Sequence, residues 1–184
     1  MRRILMIFGI LAGGLLLAAS PAAARQSKEW QKALDARTVR LWVDAQFLEE
    51  LVLNARARIE ITWLPRPLMQ RLDRDSDIEE WARGGLAIYY SSDPNTSAKM
   101  KGRDVLARRY RAEKNWNFDP TNLTVGDYRV TSDDLLGNAS TRVIGELPSG
   151  TEGRLLLCVP SLKPGRAVRI ALGPDSADLE TPRR

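Results

Sequence analysis

The chain has no histidine and one cysteine, Cys158, and these two counts decide most of the chemistry open to it. Without imidazole there is no triad or dyad that uses histidine as its base, and no His-based zinc or copper site. A lone cysteine excludes an intramolecular disulfide, and with no histidine to pair with it a Cys-His nucleophile is excluded too. Cys158 lies in an apolar run, the setting of an inert core thiol. Its sharper alternative is an intermolecular disulfide in an oxidising compartment. Carboxylates remain. Glycoside cleavage needs one or two of them, and Glu49, Glu50, Glu79 and Glu80 are the candidates on predicted helices. Their spacing turns all four toward solvent, whereas a general acid works from a partly enclosed site. No G-x-S-x-G or S-x-x-K pattern marks a serine nucleophile. No catalytic residue is assigned, and the balance is against an enzyme.

Asp73, Asp75 and Asp77 alternate as at the start of a calcium loop. The sixth and twelfth positions, where such a loop needs Gly and Glu, hold Ile78 and Gly84. The run suits a charged helix N-terminus instead, and no metal or cofactor is expected. A second cluster is basic: Lys99, Lys101, Arg103, Arg108, Arg109, Arg111 and Lys114, with Asp104 and Glu113 the acids among them. Together with Tyr110 and Trp116 they form a candidate interaction patch, able to meet lipid headgroups, an acidic glycan or an acidic protein surface. The plainer reading is a solvated face of one element. Of the tryptophans, Trp42, Trp63 and Trp81 sit in or beside periodic apolar segments, which places them in a core rather than on a sugar-binding platform. Asn95, Asn122 and Asn138 begin N-x-S/T sequons, which matter only in a eukaryotic secretory host.

The elements that position these residues follow from periodicity. Ser27 to Ala36 predicts a short helix with Trp30, Ala33 and Leu34 on one face. Thr38 to Val43 predicts a strand. Asp44 caps a predicted helix over Ala45 to Leu53, with Phe47, Leu48, Leu51 and Val52 sharing a face. Arg56 to Trp63 alternates strictly, as does a strand with one wet face. A helical turn over Leu68 to Leu72 follows Pro65 and Pro67. Ser76, with Glu79 as a capping box, opens a helix that Gly84-Gly85 ends. Leu86 to Tyr90 predicts an apolar strand and Ser91 to Ser97 a loop. Lys99 to Lys114 fits helix and strand alike, and a short strand is expected near Leu123. Thr141 to Leu147 is extended. Arg154 to Val159, apolar on both faces, is a central strand. It forms a hairpin or meander with Ala167 to Leu172 through a type II turn at Lys163-Pro164-Gly165-Arg166. The fold class is α+β, with short helices in the N-terminal half and an antiparallel sheet dominating the C-terminal half.

Arg2 and Arg3 precede an uncharged stretch from Ile4 to Ala19, which is followed by Ser20-Pro21 and Ala22-Ala23-Ala24. A basic start, an apolar core and a small-x-small end are the parts of a secretory signal peptide. Residues 1–24 are therefore expected to be a cleaved signal, residues 25–172 a single periplasmic domain and residues 173–184 a flexible polar tail. An uncleaved signal would instead leave the protein membrane-anchored. Removing Arg2 and Arg3 with the signal lowers the formal net charge from +5 to +3, too mild for a dedicated nucleic-acid binder. The expected role is a non-enzymatic, exported accessory protein that associates with an envelope protein complex. The alternatives are binding or carboxylate-driven cleavage of cell-wall glycan, and binding to an anionic membrane surface through the basic patch.

Overall fold

In the computed structural model, residues 31–72, 80–91, 93–136 and 144–183 are described. The signal segment, Trp30, the Asp73-Asp75-Asp77 run, the Ser76–Glu79 capping box and Asn138 lie outside them. The fold is α+β, with few short helices and mostly antiparallel sheet. Its strands are β1 (Thr38–Val43), β2 (Gln46–Leu48), β3 (Leu51–Leu53), β4 (Ala57–Leu64), β5 (Arg103–Ala112), β6 (Trp116–Phe118), β7 (Leu123–Val125), β8 (Tyr128–Arg129), β9 (Leu135–Leu136), β10 (Gly145–Leu147), β11 (Glu152–Pro160), β12 (Arg166–Leu172) and β13 (Asp175–Thr181). Its helices are α1 (Arg66–Leu72), α2 (Glu80–Tyr89) and α3 (Pro94–Met100), and residues 31–35 are helical as well.

Three layers result. The middle one is a five-stranded sheet in the order β1-β4-β5-β11-β9. One face packs on a four-stranded sheet, β13-β12-β7-β8, through Leu41, Ile59, Ile61 and Leu106 on one side and Leu123, Val125, Ile170 and Leu179 on the other. The opposite face carries the helices, where Leu64, Val105, Leu156 and Cys158 meet Met69, Leu86, Tyr89 and Met100. A strand between two packed layers must be apolar on both sides. That is why β11 buries Leu155 and Leu157 as well as Leu156 and Cys158. In β4 the alternation predicted from sequence appears as Ala57, Ile59, Ile61 and Trp63 buried, with Arg58, Glu60 and Thr62 half-buried.

Five expectations are corrected. Residues 45–53 are not a helix but the hairpin β2–β3, with Phe47 opposite Val52 and Leu48 opposite Leu51. Asp44 caps nothing there: its φ is +50° and its carboxylate pairs with Arg56 at 2.7 Å. Gly84-Gly85 does not end α2, and Leu86 to Tyr90 is not a strand, because the helix continues to Tyr89. A Cβ on Gly85 would collide with Leu156, so the glycine serves close helix–sheet approach. Residues 94–100, expected in or beside a loop, form α3 with Pro94 as its first residue. Finally, β11 and β12 are not hairpin partners: β11 pairs with β5 and β9, and β12 with β7 and β13. The supposed flexible tail is β13, paired residue by residue with β12 from Asp175 to Thr181.

Candidate functional site

The strand period of two breaks up the basic run. On β5, Asp104, Leu106, Arg108, Tyr110 and Ala112 point toward the four-stranded sheet and are buried, while Arg109 and Arg111 point the other way and are exposed. Lys99, Lys101 and Lys114 are exposed at the two ends, and Trp116 is 6% exposed. The nine residues of the predicted patch therefore do not share a surface. Arg111 pairs with Glu152 at 3.4 Å. Arg103 is tied inward, donating through Nη2 to Asp134, to Tyr128 Oη at 3.1 Å and to the Cys158 carbonyl at 2.6 Å. Asp134 also accepts from Tyr128 Oη (2.8 Å), the Thr131 N–H (2.7 Å) and Thr131 Oγ1 (3.0 Å). Burial pushes the Asp134 carboxyl up, but these donors outweigh it and hold the group below the usual carboxylate range.

Asp104, the other buried acid, accepts from Trp63 Nε1 at 2.8 Å and the Leu162 N–H at 3.0 Å. Trp63 is thus a core residue with its polar edge satisfied, as the sequence predicted. Trp42 is half-buried, with the Arg58 guanidinium 6.0 Å from its ring centre. Cys158 is fully buried beside Met100 Sδ (3.1 Å), and burial pushes its thiol up to about 11. A thiol so placed is neither nucleophilic nor reachable for a bridge to another chain.

Two features escaped the sequence reading. The first is the hairpin, whose Phe47, Leu48, Leu51 and Leu53 are 66%, 60%, 62% and 41% exposed. Cross-strand partners share a face, so Leu48, Leu51 and Leu53 project to one side and Phe47 with Val52 to the other. Glu49, at φ +53°, and Glu50 form the tip and stand in water. That is the opposite of the enclosed setting of a catalytic acid. The available clue was the apolar pair Phe47-Leu48 and the apolar triplet Leu51-Val52-Leu53 around Glu49-Glu50, bracketed by Asp44 and Asn54.

The second feature is Arg108, which is 0% exposed. Its Nε, Nη1 and Nη2 find no hydrogen-bond partner among the described residues, and its guanidinium carbon lies 4.4 Å from the Phe118 ring centre. Burial pushes this guanidinium down to about 9, against an upward pull from Tyr110. Around it Tyr110, Trp116 and Phe118 form an aromatic cluster, with Trp116 stacked on Phe118 at 4.7 Å. Trp116 also walls an open cleft of about 370 Å3 whose lining includes Asp44, Asn117, Asp119, Asn122, Arg129 and Asp175.

Among the described residues no group of three or more Cys, Asp or Glu side chains converges as a metal site, and no helix is long and apolar enough to cross a membrane. Comparison with known proteins finds no match, whether to a family model, a curated protein or a solved structure.

Proposed function

We propose that this chain is a non-enzymatic, exported accessory protein that works in the periplasm and associates with an envelope protein complex, with the β2–β3 hairpin as its docking element. The observation that carries this reading is the hairpin itself. Large apolar side chains gathered on a projecting two-stranded element cost free energy in water and are repaid when a partner covers them, at roughly 25 cal/mol per Å2 of apolar surface. An isolated hairpin of this length contributes little to the stability of the fold. The partner chemistry follows from the tip: an apolar groove with a basic rim, to meet Glu49 and Glu50.

A photo-crosslinking residue placed at Leu48, in cells, tests the proposal against the same residue placed at Lys163 on a distant turn. One dominant protein adduct is expected at position 48 and none at 163. Phe47→Ser with Leu51→Ser should abolish the adduct while leaving the melting temperature of the purified protein unchanged. Equal labelling at both positions, or an adduct indifferent to the serines, would refute the hairpin as a docking element.

A further inference from the structure

We infer that the packed core between the two sheets opens to bind a long-chain carboxylate, with the Arg108 guanidinium as its counterion and the β6–β10 ribbon as the strap that admits it. Three observations carry this. Arg108 is a fully buried cation with no acceptor among the described residues. Its cross-strand neighbours are Ile61 and Leu155, and its strand neighbours on the same face are Leu106 and Tyr110. A ligand suited to this place has an apolar body and one anionic head. A carboxylate matches the planar guanidinium fork with two oxygens. A dianionic phosphate would need several further donors, and of these neighbours only Tyr110 carries one.

The third observation concerns access. The β5–β11 ladder ends near Ala112 and Glu152. The chain turns at residues 113–115 and 148–151, and the two strands return over the core as β6 and β10, paired with each other. This fold-back sets Trp116 beside Tyr110 and Phe118 over Arg108. Among the described residues the ribbon is hydrogen-bonded into neither main sheet. Lifting it would leave both main ladders intact and uncover Trp116, Phe118 and Leu147, which are buried in the core between the sheets. This inference is independent of the hairpin reading.

The test titrates the purified protein with laurate and with dodecanol, its neutral counterpart, by calorimetry below the micellar concentration of laurate. Saturable 1:1 binding of laurate is expected, with dodecanol weaker by about tenfold or more, as a charge-assisted hydrogen bond implies. Arg108→Met should erase the difference. Absence of saturable laurate binding, equal affinity for the alcohol, or a preference that survives Arg108→Met would overturn the site. A second readout needs no variant: the Arg108 Nε–Hε resonance should shift on adding laurate and not on adding dodecanol, and a resonance that stays still overturns the site as well.

Discussion

Asp134 gathers donors from Arg103, Tyr128 and Thr131 in a place where its side chain is 2% exposed. Removing its charge leaves Arg103 without its ion-pair partner, a change that typically costs about 3–5 kcal/mol when the pair is buried. Arg103 is 21% exposed, which puts Asp134→Asn near the lower end, about 3 kcal/mol by urea denaturation at pH 7. The carboxyl is held below its ordinary 3.8. Its contribution is therefore present above 3.8 and lost as the pH falls through the depressed value. The gap between native protein and variant should close in acid; a gap constant from pH 7 to pH 2 would show that the charge is not what matters. At this scale little was legible in the sequence. Asp134 and Arg103 are 31 residues apart, and no local pattern joins them. The burial of Arg108 was readable only after committing residues 103–112 to a strand, where period two sets it between Leu106 and Tyr110.

Elements were more legible wherever one period was the sole explanation. Thr38 to Val43 and the alternating run of β4 came out where expected. Phe47, Leu48, Leu51 and Val52 did not, because the spacing that puts all four on one helix face is also that of a hairpin with a two-residue turn, which pairs Leu48 with Leu51 on one face and Phe47 with Val52 on the other. Gly84-Gly85 resembled a C-cap, but a glycine removes bulk as well as freeing φ, and here the absent bulk is what Leu156 requires. The segment after Gly173 looked loose because Ser176, Asp178 and Glu180 dominate its composition. Its other face holds Ala177, Leu179 and Thr181, with the last two buried. Leu179 is 0% exposed and packs in the core between the sheets. Leu179→Ala should therefore cost about 2–5 kcal/mol, measured by urea unfolding, whereas a loose tail would tolerate it within about 0.5 kcal/mol.

For the molecule as a whole, alkaline pH sets opposing groups against each other. Arg108 falls from 12.5 to about 9 on folding, so the unfolded chain holds more protons above 9 and this group alone makes stability rise with pH. Cys158, moved from 9.0 to about 11, and Tyr89 and Tyr110, each moved from 10.0 to about 12, do the reverse: the stability they provide is lost as pH climbs through the raised values. Three groups outweigh one. The melting temperature should fall from pH 9 to pH 12, and more steeply in Arg108→Met, which lacks the rising contribution. Parallel curves for the two proteins would mean that Arg108 stays charged throughout. The α+β class could be read from composition and periodicity, but the layering and the division of strands between two sheets could not, since they depend on pairings far apart in sequence.

The seam where β1 meets β13 has its own consequence for how quickly the fold assembles. Asp44 donates its backbone N–H to Asp175 across 131 residues, and β5 finds β11 only after a long intervening stretch. Closing such distant contacts costs chain entropy before any burial rewards it, which places the chain among the slow, millisecond-to-second folders. The β4–β5 and β5–β11 ladders can form before that seam does. Weakening the seam should then hasten unfolding and leave the refolding rate nearly untouched.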